Sequence, residues 1–185
     1  MIKWIQTGKR GETNMTKHVI LLNGPSSAGK SSLAAALQKR AEERRKERYA
    51  IISIDDYMRV SKEETIYEDD VFEISGDMIR GVTEALGAAS GVIVDHVITS
   101  ERIYRQFTDA MRPYALHTVR VTCPLEVLLK REQARKDRCP GSAEASYTWI
   151  YPKDGYDLTV DTHEMTAEQC AEAIDTALFP ERDER

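Results

Sequence analysis

Asn23-Gly24-Pro25-Ser26-Ser27-Ala28-Gly29-Lys30-Ser31-Ser32, entered from the apolar run Val19-Ile20-Leu21-Leu22, decides how the rest of the chain is read. From Gly24 to Ser31 it fills every position of the pattern G-x-x-x-x-G-K-[ST]. Glycines at both ends let successive backbone N–H groups turn into one concavity, which attracts anions. The helix pattern that follows points the positive end of its dipole at the same spot. Lys30 is expected to reach the β- and γ-phosphates of a nucleoside triphosphate, and the Ser31 hydroxyl to help hold Mg²⁺. Residues 24–32 together are the expected nucleotide cradle.

Around this loop the apolar runs alternate between strand and helix character. Five β-branched stretches read as strands: Val19 to Leu22, Tyr49 to Ile54, Val92 to Val97, His117 to Thr122 and Asp157 to Val160. Between them, apolar residues recur at helical spacing. Leu33, Leu37 and Ala41 mark one helix. Ile79, Val82 and Leu86 mark a second, ended by Gly87 and Gly91. Ile103, Phe107 and Met111 mark a third, stopped near Pro113. Pro124 opens a fourth that runs through Leu125, Leu128 and Leu129 into an arginine-rich stretch. Thr166 with Gln169 reads as a capping box for a last helix burying Cys170, Ile174 and Ala177. Alternation of this kind predicts an α/β fold with a five-stranded parallel sheet and helices on both faces. Ligands then gather at the carboxyl ends of the strands.

Those ends carry chemistry. The second strand closes on Ile54-Asp55-Asp56 and the third on Val94-Asp95-His96. A carboxylate just past the second strand can take the proton of a substrate hydroxyl attacking the γ-phosphate, which casts Asp55 as base and substrate ligand. Asp95 suits the surroundings of Mg²⁺ or a substrate hydroxyl. His96 is either a substrate contact or a hydrogen-bonded structural histidine. In the fourth helix Arg131, Arg135 and Arg138 fall at i, i+4 and i+7, so the reading puts three guanidinium groups on one face. Planar guanidinium forks match phosphate oxygens, and charge shifting during phosphoryl transfer needs such partners. The bland alternative is a solvated face laced by Glu132 and Asp137. Cys139-Pro140-Gly141-Ser142 is turn chemistry, in keeping with a flap that closes over a nucleotide. The acidic, aromatic segment Tyr67 to Phe72, and Trp149 with Tyr151, read equally well as pocket walls or as ordinary surface and core.

Bulk properties narrow the classes. At 185 residues with 41% hydrophobic and 31% charged residues, the chain reads as one domain over residues 15–180, with an unstructured extension at 1–14 and a tail at 181–185. A net charge of −5 leaves no electrostatic footprint for nucleic acid. No apolar run approaches the roughly 20 residues of a membrane helix, so no membrane partner is expected and the cytoplasm is the expected compartment. Cys123, Cys139 and Cys170 are widely spaced and lack histidines at metal-binding spacing, which reads as reduced thiols.

With these residues in view, the chain resembles the chloramphenicol phosphotransferase-like family of small kinases built on this loop. The resemblance rests on Asn23 to Ser31, on Asp55 closing the second strand, and on Asp95 with Val97 after an Ile/Val-rich strand. It continues through Arg131 to Arg138 and Tyr156-Asp157-Leu158-Thr159-Val160-Asp161-Thr162-His163. It implies a three-layer P-loop kinase fold and ATP- and Mg²⁺-dependent phosphorylation of a hydroxyl on a small molecule, such as an antibiotic. By position, Asp55 would be the base, and Arg131, Arg135 and Arg138 would belong to a lid clamping the phosphates. Asp161 and Thr162 would lie near the adenine. Pro25 stands where the antibiotic kinase carries Gly. The stretch from Asp55 to the third strand is shorter and lacks a Gly-rich, Met-containing portion, so the resemblance carries donor chemistry and leaves the acceptor open. Two other functions share the loop: a toxin-like kinase of a nucleotide sugar, and a nucleotide-dependent switch. The switch lacks an Asn-Lys-x-Asp or Thr-Lys-x-Asp motif after the fourth strand.

Overall fold

The structure, a computed structural model, describes residues 16–58, 67–135 and 140–180. The extension at 1–14 and the tail at 181–185 lie outside the described residues. Five strands form one sheet: β1 (His18–Asn23), β2 (Tyr49–Ser53), β3 (Gly91–His96), β4 (Ala115–Thr122) and β5 (Leu158–Asp161). Their order is β2-β3-β1-β4-β5, and every neighbouring pair is parallel. Between them run α1 (Lys30–Arg45), α2 (Glu68–Ala88), α3 (Glu101–Met111), α4 (Leu125–Gln133), α5 (Ser142–Trp149) and α6 (Ala167–Leu178).

The two-residue period of the strands sorts these helices into layers. Ile20 and Leu22 of β1 face a core shared with Leu33 and Leu37 of α1, Leu128 of α4 and Ile174 of α6. Val19 and Leu21 face the opposite core, shared with Met78 and Val82 of α2 and Phe107 and Met111 of α3. Both sheet faces are covered, which is why the strands read as unbroken apolar runs. The chain lays β2 and β3 on one side of β1, then crosses to add β4 and β5 on the other. That reversal leaves a crevice at the carboxyl end of β1, where open parallel sheets bind ligands.

Three elements differ from the sequence reading. The acidic segment is the start of α2 and not a loop: Tyr67 N donates to Asp70 Oδ2 at 2.9 Å, and Glu68, Asp69 and Asp70 in the first turn complement the helix dipole. Gly87 lies inside α2, which ends at Ala88. On α6 the exposed Ala177 does not join the core; the buried polar residue there is Asp175, 2% exposed. Arg40 Nε and Arg44 Nη1 reach its Oδ2 at 3.1 and 2.6 Å, and Arg45 reaches Oδ1. Burial alone would raise its pKa, but these guanidinium hydrogen bonds outweigh burial and hold it below the ordinary carboxylate range.

At the sheet edge away from the crevice, His18 of β1 and His117 of β4 stack with Nδ1 and Nε2 3.0 Å apart, and Phe179 packs edge-on against both. One ring must donate and the other accept, so the pair suits neutral imidazoles. Burial pushes both pKa values down. For His18, Glu47 opposes that shift and Arg45 adds to it; for His117, His18 adds to it and Asp157 opposes it. A depressed folded pKa means the unfolded chain binds protons first as pH falls. The pair's contribution to stability is therefore full above about pH 6.5 and declines below it. Urea unfolding at pH 7.5 and 5.5 should show the loss, and a His117→Gln variant should show a shallower one. An unchanged slope in the variant excludes the pair as its source.

Candidate functional site

The chain leaves β1 at Asn23 and turns through residues 24–29 into α1. Gly24 is obligatory on space alone, because a Cβ there would lie 2.2 Å from the Val121 carbonyl oxygen of β4. Ser27 at φ 64° and Gly29 at φ 83° are both left-handed, which folds the loop into the concavity expected from the motif. A left-handed serine is uncommon and marks a backbone held there by its surroundings. Within this loop Ser26 Oγ and Ser27 Oγ are buried with no hydrogen-bond partner. Leaving such groups unsatisfied costs about 1–3 kcal/mol each. A phosphate oxygen would satisfy them, so the residues present fit a triphosphate.

Lys30, 6% exposed, holds its ammonium 2.9 Å from the Pro25 carbonyl oxygen and 3.7 Å from Asp95 Oδ1. Ser31 Oγ donates to Asp95 Oδ2 at 2.8 Å. Strand register makes this meeting unavoidable, since Asp95 of β3 pairs with Leu22 of β1 and Ser53 of β2 at the carboxyl edge. A hydroxyl backed by a carboxylate is also the donor set that suits Mg²⁺ beside phosphates. Asp55 opens a short 3₁₀ turn, Ile54–Asp56, where its N–H donates to Ser53 Oγ at 3.3 Å. Asp55, Asp95, Lys30, Ser31 and Arg135 line one cavity of about 60 Å³ against the loop serines and Ser32.

His96 is fully buried. Its Nδ1 accepts from Val97 N at 2.8 Å, and its Nε2 lies 3.4 Å from Ser75 Oγ. Burial, then the Lys30 charge, push its pKa down to about 3, so the ring is neutral and sits behind the cavity without lining it. Asp56 is exposed beside Asp55.

The arginine face predicted for α4 is not built as one face. The helix ends at Gln133, so only Arg131 belongs to it; Arg135 lies beyond its end and Arg138 outside the described residues. Glu132 is buried at 8% exposure and not laced among arginines. Its two oxygens accept from Gly141 N at 3.0 Å and Ala143 N at 2.7 Å, capping α5. Arg131 in turn donates to Thr162 Oγ1 at 3.1 Å and Thr162 O at 2.9 Å, while Thr162 Oγ1 donates to Ala28 O at 2.8 Å. These bonds fasten the loop after β5 to the phosphate loop. Asp161 Oδ1 accepts from His163 N at 2.8 Å in the same turn.

Two parts of the site escaped the sequence reading. Helix α5 braces the loop, with Ser146 Oγ accepting from Ser26 N at 2.9 Å; Trp149, on the same helix, is 68% exposed and belongs neither to the core nor to either cavity wall. Asn23, wholly buried, donates to Tyr151 O and Tyr156 OH at 2.8 Å each and accepts from Ile98 N at 2.9 Å. It thereby ties the ends of β1 and β3 to the segment that enters β5. The run Ala143-Glu144-Ala145 was the available signal for α5; nothing local signals the reach of Asn23.

Solved structures share this architecture at low sequence identity. A sugar kinase from Janibacter sp. superposes with a TM-score of 0.65 at 19% identity, covering 88% of this chain and 94% of that one. The APS kinase of Mycobacterium tuberculosis, solved with AMPPNP and APS, gives 0.68 at 14%, covering 88% and 98%. A gluconokinase from Sinorhizobium meliloti gives 0.64 at 17%, covering 89% and 93%. The fold is that of the P-loop kinases. No curated protein matches the chain in sequence. The family model for chloramphenicol phosphotransferase-like proteins matches residues 17–179, almost the whole described region from β1 through α6, and the chain belongs to that family.

Proposed function

We propose that this protein is an ATP-dependent phosphotransferase acting on a hydroxyl group of a small molecule. The observation that carries the reading is a single cavity in which Asp55 faces Lys30, Ser31 and the unsatisfied loop serines. Family membership and neighbours that carry kinase in their names support it.

In this reading the amides and hydroxyls of residues 24–32 hold the phosphates, and Lys30 bears on the β- and γ-oxygens. Ser31, with Asp95 behind it, would hold Mg²⁺, which when bound supplies charge neutralisation at the phosphate chain. Asp55 takes the hydroxyl proton as the acceptor oxygen bonds to the γ-phosphorus and the bond to the bridging oxygen breaks, leaving a phosphate ester and ADP. Arg135 meets the charge that builds on the transferring group, and Arg138 joins it as the lid. Asp161 and Thr162, the latter held by Arg131, border the adenine. The acceptor class is a compact alcohol, with antibiotics and sugar-like metabolites the first to try.

Purified full-length protein incubated with ATP and Mg²⁺ against chloramphenicol, other hydroxylated antibiotics, sugars and sugar acids tests this directly. ADP formation that depends on one acceptor, with that acceptor gaining one phosphoryl group by mass, is the expected result. ATP hydrolysis indifferent to every alcohol would point instead to a nucleotide switch.

A further inference from the structure

We infer that a second cavity, on the other flank of the phosphate loop, is a binding site for a small aromatic anion. It encloses about 190 Å³ and shares no lining residue with the cavity that holds Asp55 and Lys30. Gly24 and Pro25 of the loop, Arg120, Val121 and Thr122 of β4, Tyr147 of α5, Ile150 and Lys153 line it.

Charge argues for an anion. In a chain of net charge −5, Arg120 and Lys153 share this cavity, and among the described residues neither meets a carboxylate within ion-pair distance. They spend donors on backbone instead: Arg120 Nη1 donates to Lys153 O, and Lys153 Nζ to Thr148 O at 2.6 Å. A guanidinium keeps further N–H donors after one such bond, and an ammonium keeps two. Strand alternation fixes the first of these cations here. Val119 and Val121 turn into the core with α1, so Arg120 projects from the opposite face of β4.

Shape argues for a ring. Tyr147 is 41% exposed, a large side chain that lines the cavity together with Ile150 and Pro25. An aromatic edge, an aliphatic wall and two cations are complementary to a planar group with a carboxylate or phosphate substituent. The place matters because Pro25, which lines this site, is also the residue whose carbonyl receives Lys30.

The probes are phenyl phosphate and inorganic phosphate, titrated calorimetrically into full-length protein. Phenyl phosphate should bind one-to-one, should still bind Lys30→Ala, and should weaken roughly 10-fold in Arg120→Gln/Lys153→Gln. Tyr147→Ala should cost phenyl phosphate several-fold and leave inorganic phosphate unchanged. Lys153→Gln alone, at an exposed position, should weaken binding in the same direction without touching a strand. No heat in the wild type, equal affinity in the double variant, or binding lost in Lys30→Ala would each overturn the site. The last outcome would place the anion in the phosphate loop, while failure of ATP to bind would leave the second site standing.

Discussion

Asp55→Asn should lower kcat by about 10²–10⁴-fold, the range expected when a positioned general base is removed, as the proposed reaction requires, and leave nucleotide affinity intact. The separation follows from placement. Asp55 is exposed on the turn after β2, where its N–H donates to Ser53 Oγ, and in the proposed reaction it serves the acceptor side of the cavity. Asp95 behaves differently because it receives Ser31 and pairs with Lys30; replacing it disturbs nucleotide binding as well as turnover. Steady-state kinetics with the identified acceptor, beside calorimetry with a non-hydrolysable ATP analogue, distinguishes the two. Unchanged turnover in Asp55→Asn would move the base elsewhere.

Lys30→Ala should lower kcat by about 10²–10³-fold and weaken triphosphate binding too, because in the proposed reaction its charge meets phosphate in the ground state and more so during transfer. It also carries a folding cost that Asp55→Asn lacks. Asp95 is 5% exposed, and the lysine ammonium 3.7 Å away is its cationic partner. Leaving that carboxylate with Ser31 alone costs on the order of 1–3 kcal/mol. Thermal unfolding without nucleotide should show this loss in Lys30→Ala and no comparable loss in Asp55→Asn. Equal melting of both variants would mean that the ion pair contributes nothing to the fold.

The phosphate loop, the five strands and most helices were legible in the chain because each depends on near neighbours. Gly29 must be left-handed where the loop meets α1, and Val19 to Leu22 must be apolar on both faces to lie in mid-sheet. The pairing of Asp55 and Asp95 with the loop followed one step later, from the rule that ligands collect at strand ends. Boundaries were less secure. Tyr67 to Asp70 looked like loop and proved to be the start of α2, since acidic residues serve a first helical turn as well as a surface. The arginine helix was read too far for the opposite reason: periodicity assumes that a helix continues, but α4 ends at Gln133, short of Arg135, with Arg138 outside the described residues.

By itself, then, the sequence determined the layered parallel sheet, the anion cradle and the strand-end carboxylates, all of which rest on local backbone geometry and burial pattern. Only the tertiary structure decided that Arg131 locks Thr162 to Ala28, that Asn23 ties β1 to Tyr151 and Tyr156 more than 120 residues away, and that Arg120 and Lys153 line one cavity. Such contacts join side chains whose meeting depends on strand order, and strand order has no signature in the spacing of residues along the chain.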